Sequence, residues 1–158
     1  MFKRLLLLAL VLAITKFSHT PGLTVSSPAS WLHSAAWKPD VTLWSILGPH
    51  GSFYRAYKYG WELEFFLRKG AHLSFFGALA LLFYWNLRPS RHRYKYAWLL
   101  LVAFAFLDEL HQSFVWMRDG RLIDVLIDAL GGTLFLFIFW RMNKQKNVQR
   151  KTQKNALL

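Results

Sequence analysis

Ionisable side chains lie inside apolar stretches at three places in the sequence, where they could do chemistry away from bulk water. The stretch RKGAHLSFFG carries Lys69 and His72, which are three residues apart and therefore share roughly one helix face. The stretch FLDELHQSF carries the polar side chains of Asp108, Glu109, His111 and Gln112. In a third apolar stretch, Asp124 and Asp128 are about one helical turn apart.

These residue types fit three kinds of chemistry. A histidine beside a carboxylate can act as a general acid–base pair, so the candidate catalytic residues are His72, Asp108, Glu109 and His111. The same groups could hold a divalent cation, but their spacing matches no metal-binding motif, and we predict no metal site and no cofactor. Lys69, Arg118 and Arg121 could bind phosphate, which arginine contacts in bidentate fashion and lysine as a point charge.

The apolar surroundings favour a functional interpretation over a structural one. A carboxylate at membrane depth costs about 2.5–3.5 kcal/mol on insertion scales, so it must face a polar interior, a water-filled cavity or a cation. The alternative is an ion pair that only holds the helices together. We expect Glu109 to be held charged by a cation from another segment, either Arg118 or Lys69. Gly131 and Gly132 fit close helix packing better than a site.

The composition indicates an integral membrane protein. Of the 158 residues, 54% are hydrophobic and 18% are aromatic, which excludes a disordered chain. The absence of cysteine excludes a disulfide scaffold and thiolate-bound zinc. A net charge of +12 would suit a nucleic-acid binder, but the long apolar runs favour a membrane protein, and we predict no nucleic-acid partner.

Four apolar segments predict an all-α bundle of four transmembrane helices. They cover residues 2–17, 70–87, 97–117 and 123–140, and the last three have spanning length. The first is only about 24 Å long. We favour an uncleaved anchor there over a cleaved signal peptide, because Lys16 follows the apolar run at once and no small-x-small cleavage site is near. We predict one domain over residues 1–158, with its motif core at about 64–140.

The distribution of charge predicts the orientation. Residues 1–4, 88–95 and 141–158 carry twelve cationic side chains and no acid, whereas the rest of the chain carries eight cations and eight acids. The positive-inside rule makes the twelve-cation side cytoplasmic, so we predict that both termini are cytoplasmic and that residues 141–158 form a basic tail. Residues 18–67 then form an aromatic-rich outer loop between helices 1 and 2. This loop consists either of short amphipathic pieces on the outer leaflet or of an ordinary packed loop.

This orientation brings the polar groups of three spans into one layer. The second span begins outside with Lys69 and His72, the third carries its polar residues in its outer half, and the fourth carries Asp124 and Asp128 in its first two turns. The short turn between the third and fourth spans lies outside as well. The sequence therefore predicts one outward-facing polar site built by segments far apart in the chain.

The stretches RKGAHLSFFG and DELHQSFVWMRDGRLIDVLIDALGG together resemble the VanZ-like family, which is named for a teicoplanin-resistance protein. The resemblance covers about residues 64–140, including the order and spacing of the motifs. The residues that match the family pattern, and that we take as candidate binding residues, are Lys69, His72, Glu109, Gln112, Arg118, Asp124 and Asp128. Many members have Pro-Gly before the turn arginine, where this chain has Trp116 and Met117, so Arg121 competes with Arg118 for that role.

The resemblance implies a small multi-pass protein of the bacterial cell membrane, and some members are linked to antibiotic resistance through lowered susceptibility to lipid-tailed glycopeptides. Our first functional hypothesis is binding or modulation of an outer-leaflet lipid, an amphiphilic glycopeptide or a cell-wall precursor. The second is a membrane-embedded hydrolase or transferase that acts on such a precursor. Proton-coupled transport is a third and is disfavoured, because nothing charged lies in the inner half of the spans. The sequence indicates no oligomeric state.

Overall fold

The computed structural model of the chain describes residues 1–34, 36–57 and 62–156. Within these residues the fold is all-helical, as predicted, and contains no β-strand. The α-helices are α1 (Phe2–Ser18), α2 (Leu43–Leu47), α3 (Leu63–Asn86), α4 (Arg93–Phe114) and α5 (Leu122–Ala156). Two short 3-10 helices, Pro28–Leu32 and Ser52–Tyr54, lie between α1 and α3.

Three helices in the described part of the chain, α3, α4 and α5, are long and apolar enough to cross a membrane. Their outward faces carry large exposed apolar side chains, among them Leu107, Leu126 and Phe137, which a lipid bilayer would remove from water. The chain is therefore a multi-pass membrane protein. α1 has 17 residues and is about 26 Å long. Leu5, Leu8 and Leu12 of this helix are exposed in the same way.

The helices differ in length from the predicted spans. α3 begins seven residues before the second predicted span, at Leu63 rather than at residue 70. The third ends early: α4 stops at Phe114, and the next residue, Val115, forms a backbone bridge with Trp37. The predicted basic tail continues α5 as far as Ala156, so this helix is about 52 Å long and exceeds the roughly 30 Å hydrocarbon core.

The bundle is centred on α3, which packs against α1, α4 and α5. Its fully buried side chains include Leu79 and Ala80, and those of α4 include Leu101 and Ala105. The small residues let the helix axes approach closely, which is how helices associate in a membrane without a hydrophobic driving force.

The segment between α1 and α3 packs partly on the bundle at the C-terminal end of α4. Phe53 is buried and its ring meets Phe106 of α4 edge-on at 5.6 Å. The backbone N–H of Trp116 donates to the carbonyl of Ala36 at 2.8 Å. Trp44 of α2, in contrast, is largely exposed. The segment thus combines short helical pieces with packed loop.

Gly131 sets the distance between α3 and α5. A Cβ atom at this position would lie 2.4 Å from the carbonyl oxygen of Leu73 and 3.0 Å from its Cα. Both atoms belong to the backbone of α3, so they could move only if the helix moved. The sequence-based interpretation of Gly131 as a packing residue agrees with this contact.

We predict that Gly131→Ala lowers the stability of the protein by about 1–3 kcal/mol, because the added methyl group overpacks the α3–α5 contact. Gly70→Ala is the matched control, since a Cβ there meets nothing within 4 Å and alanine favours the helix. Thermal unfolding of both variants in detergent checks the prediction. Equal stability of the two variants would contradict it.

Candidate functional site

Four parts of the chain meet at the C-terminal end of α4 and form a polar cluster. They are the last residue of α1, the first turns of α3, the last turns of α4, and the 115–121 turn with the first turns of α5. The turn lies tightly against α4: a Cβ at Gly120 would be 1.7 Å from the carbonyl oxygen of Glu109. Only glycine permits this approach.

The side chain of Gln112 on α4 makes hydrogen bonds to three charged residues of the cluster. Its side-chain NH₂ group donates to Asp108 Oδ2 at 2.9 Å and to Glu109 Oε1 at 3.1 Å. Its oxygen accepts a 2.7 Å bond from Arg118. The hydroxyl of Ser18, at the end of α1, also donates to Asp108 Oδ2 at 2.7 Å. Asp108 and Glu109 lie four and three residues before Gln112, a spacing that brings side chains together on a helix. Ser18 adds a partner from α1.

Arg118 folds back from the turn into the cluster and is only 6% exposed. Burial lowers the pKa of this guanidinium to about 10, so it remains protonated at neutral pH. Its Nε atom has no hydrogen-bond partner among the described residues. Arg121 lies at the rim instead, where its guanidinium donates to the carbonyl of Ala56 at 3.1 Å. Of the two arginines, Arg118 is the one whose side chain enters the cluster.

The prediction that a cation pairs with Glu109 is wrong for the described residues. Lys69 pairs with Asp124, and Arg118 contacts Gln112. Glu109 is 1% exposed and accepts hydrogen bonds from Gln112 and, at 3.0 Å, from the backbone N–H of Arg121. The turn thus supplies a neutral backbone donor where the sequence led us to expect a charge.

His72 and Asp128 form the deepest pair of the cluster. His72 Nδ1 lies 3.1 Å from Asp128 Oδ1, and Asp128 is completely buried. The second carboxylate oxygen of Asp128 has no hydrogen-bond partner among the described residues. His72, Glu109 and Asp128 can each offer one ligand atom, and these three atoms lie within 4.8 Å of one another. They are the residues that could hold a metal ion.

His111 lies apart from the catalytic candidates with which the sequence grouped it. Its Nε2 is 3.0 Å from Nδ1 of His19, the two rings stack, and Trp37 meets the His111 ring edge-on. The carboxylate of Asp108 contacts Ser18 and Gln112 instead. An acid–base pair in this site would therefore consist of His72 and Asp128.

Sequence reasoning missed two residues that the fold brings to the site, Ser18 and Tyr57. The hydroxyl of Tyr57 donates to Asp124, which Lys69 also contacts. Burial, followed by this bond to a carboxylate, raises the pKa of Tyr57. No periodicity links residue 57 to residue 124. The only signal was the richness of the outer loop in tyrosine and tryptophan.

Two cavities adjoin the cluster and share Arg68 and Arg118 in their walls. The first has a volume of about 370 Å³ and is lined mostly by apolar residues, among them Phe17, Trp31 and Phe75. The second, of about 290 Å³, is lined mostly by charged and polar residues, which include Tyr57, Glu62, Glu64, Lys69, Arg121 and Asp124. An apolar and a polar compartment therefore meet at two arginines.

A helical bundle with three helices long and apolar enough to cross a membrane, and with a buried polar cluster at one end, defines a multi-pass membrane protein. The chain belongs to the VanZ/LLP1 family, whose model matches residues 4–143. The match extends well beyond the motif core at 64–140 and includes α1 and the segment before α3. Neither a curated protein nor a solved structure matches the chain.

We predict that Lys69 is energetically coupled to Asp124 rather than to Glu109. A double-mutant cycle with Lys69→Met and Asp124→Asn should give a coupling of about 0.5–3 kcal/mol, because the two groups are in contact and half-buried to buried. The parallel cycle with Glu109→Gln should give a smaller value. Thermal unfolding in detergent measures both. A larger coupling to Glu109 would show that Lys69 pairs with that residue.

Proposed function

We propose that this protein is a four-span protein of the bacterial cell membrane, with both termini cytoplasmic, that binds an anionic amphiphile of the outer leaflet. The ligand class is a lipid-linked molecule with a phosphate-bearing headgroup, such as a cell-wall precursor. The proposed binding residues are those matching the family pattern: Lys69, His72, Glu109, Gln112, Arg118, Asp124 and Asp128. On this proposal residues 1–158 form one domain, since Ser18 of α1 contributes to the site.

Charge supports this topology. The twelve cations of residues 1–4, 88–95 and 141–158 fall at the end of the bundle opposite the cluster if α1 is the fourth span. α1 is a few ångströms shorter than the hydrocarbon core, and local thinning of the bilayer or a snorkelling Lys16 can accommodate the difference. The cluster and the aromatic segment before α3 then face outward.

The observation that carries the ligand class is the junction of the two cavities at Arg68 and Arg118. The apolar cavity, between α1, the segment after it and α3, suits an acyl or prenyl chain, and its volume lies in the range of ordinary ligand sites. The polar cavity suits a headgroup. A phosphate at the junction would meet both guanidinium groups, and Arg118 has an unpartnered Nε to offer.

Binding of a lipid-linked precursor would also explain how a family member alters susceptibility to a lipid-tailed glycopeptide. Such a drug is itself an amphiphile that acts at the outer leaflet on wall precursors. A protein that sequesters or shields either molecule lowers their encounter without any chemical step. We propose that the present chain sequesters or shields such a molecule in the same way.

An enzyme that acts on the same ligand is the second candidate function, and the His72–Asp128 pair favours it. An imidazole held at 3.1 Å by a fully buried carboxylate has the arrangement of a general base with its orienting group. The pair lies in the same cluster as Arg118, where a phosphate would sit. The reaction class would be hydrolysis or transfer at that phosphate.

We predict that an impermeant thiol reagent labels Ser34→Cys and spares Ser90→Cys in intact cells. Both serines are exposed and the native chain has no cysteine, so each variant reports one position. Ser34 lies in the proposed outer segment and Ser90 in the cationic loop. Labelling of both after permeabilisation is the control for reactivity. Labelling of Ser90→Cys in intact cells would reverse the orientation.

We predict that Arg118→Gln weakens the binding of an anionic lipid by at least about tenfold, because it removes a buried charge that contacts the headgroup. The probe is phosphatidylglycerol, compared with phosphatidylcholine, titrated against the purified protein and followed by native mass spectrometry. Arg55→Gln is the matched control, since Arg55 is exposed in the outer segment and does not line either cavity. Equal losses in both variants would indicate nonspecific charge attraction.

Ala71→Phe tests the apolar cavity, whose wall includes Ala71. We expect this variant to lose affinity for long-chain phosphatidylglycerol while keeping its affinity for a short-chain analogue, because the added ring fills space that the chain would occupy. The same incubations with lipid-linked diphosphate, analysed for released phosphate, separate the two functions. Turnover that disappears in His72→Gln selects the enzyme, and binding without turnover selects the first proposal.

A further inference from the structure

We propose that His72, Glu109 and Asp128 form a binding site for one divalent transition-metal ion, of the Zn²⁺ or Mn²⁺ type. This inference goes beyond lipid binding and does not depend on it, because a metal ion can bind to these three side chains whether or not a lipid occupies the apolar cavity that His72 also lines. The sequence spacing of these residues, from 72 to 109 to 128, contains no metal-binding motif. The site exists only in the folded bundle.

The three proposed ligand residues converge from three different helices. The three residues come from α3, α4 and α5, one from each helix. Their ligand atoms lie within 4.8 Å of one another. Side-chain rotation can bring groups at this separation to one ion at the roughly 2.0–2.2 Å that zinc requires from nitrogen and carboxylate oxygen. The rigid helices provide the fixed positions that a metal site needs.

A carboxylate oxygen of Asp128 is left without a hydrogen-bond partner among the described residues, and this points independently to a bound cation. This residue is 0% exposed, and its Oδ2 atom has no hydrogen-bond partner among the described residues. Buried polar atoms are nearly always paired, because an unpaired one loses its hydration without compensation. A cation between Asp128, Glu109 and His72 supplies the missing partner. The other oxygen, Oδ1, lies 3.1 Å from His72 Nδ1.

The ionisable side chains of the cluster carry an excess of negative charge. The cluster contains four carboxylates on α4 and α5, namely Asp108, Glu109, Asp124 and Asp128. Two cations contact the cluster directly: Lys69 pairs with Asp124, and Arg118 bonds to Gln112. With Arg68, which lines both adjoining cavities, counted as well and all groups ionised, the formal charge of these side chains is −1. A bound cation offsets this excess of negative charge, whereas the competing arrangement is a carboxyl group that keeps its proton.

The donor set favours a metal of intermediate softness. One imidazole and two carboxylates suit Zn²⁺ or Mn²⁺, whereas Ca²⁺ and Mg²⁺ prefer oxygen ligands alone. The carboxylate of Glu109 is also held by Gln112 and by the backbone N–H of Arg121. Such outer contacts fix the orientation of a ligand and strengthen metal binding. Mg²⁺ therefore serves as the discriminating probe.

The test is calorimetric titration of the full-length protein in detergent, after treatment with a chelator, with Zn²⁺, Mn²⁺ and Mg²⁺. We expect one Zn²⁺ or Mn²⁺ per chain with a Kd in or below about the micromolar range, and much weaker Mg²⁺ binding. Asp128→Asn and Glu109→Gln should each raise the Kd by at least about tenfold. Asp108→Asn is the matched control, since it removes the same charge from the same cluster but lies outside the three ligands.

Two outcomes overturn the proposal: no saturable binding of Zn²⁺ or Mn²⁺ by the native protein, or equal losses in Asp108→Asn and Asp128→Asn. A measurement on the native protein covers the case in which the variants do not fold. Zn²⁺ should protect His72 from diethylpyrocarbonate, mapped by peptide mass spectrometry, while exposed His50 remains reactive. Equal modification of His72 with and without Zn²⁺ also overturns the proposal. Failure here leaves the lipid-binding result unaffected, because that experiment uses no metal.

Discussion

Burial of four carboxylates at one end of an apolar bundle is the constraint on which the rest of the site depends. Each carboxylate costs about 2.5–3.5 kcal/mol at membrane depth unless it finds a partner. Asp108 is satisfied by Ser18 and Gln112, Asp124 by Tyr57 and Lys69, and Glu109 by Gln112 and a backbone N–H. The partners come from helix, loop and turn, so this requirement ties the separate segments into one unit.

The same constraint explains why segments outside the family motif matter. Ser18 ends α1 and Tyr57 lies in the segment before α3, yet both bond directly to carboxylates of the cluster. The 115–121 turn folds against α4 at Gly120, which brings Arg118 back over the helix and places the N–H of Arg121 on Glu109. Asp119, outside the cluster, is held by Lys38: although burial raises the pKa of this carboxyl, the hydrogen bond and charge of Lys38, with the charge of Arg121, bring it below its usual value.

Two features of the cluster are left unsatisfied by the described residues, and each points to a different partner. Arg118, whose Nε is unpartnered, lines both the apolar and the polar cavity, where we propose that an anionic headgroup binds. Asp128 Oδ2 lies deeper, among groups that suit a cation. A phosphate bound near Arg118 and a metal ion bound near Asp128 have opposite charges, so their simultaneous binding is electrostatically favourable. The two proposals therefore concern neighbouring levels of one site.

The helical membrane class, the family and most of the residues in the cluster could be predicted from the sequence, because apolar period, charge and motif spacing are local properties of the chain. Helical spacing left Asp108 free to contact either His111 or Gln112, and it allowed Glu109 to contact Gln112. The tertiary structure resolved what spacing left open: Asp108 contacts Gln112, Lys69 pairs with Asp124, Arg118 rather than Arg121 enters the cluster, and His111 turns towards His19. It also decided that Ser18 and Tyr57 take part. These outcomes depend on helix rotation, on the end of α4 at Phe114 and on the path of a turn, which are fixed by packing between segments distant in sequence.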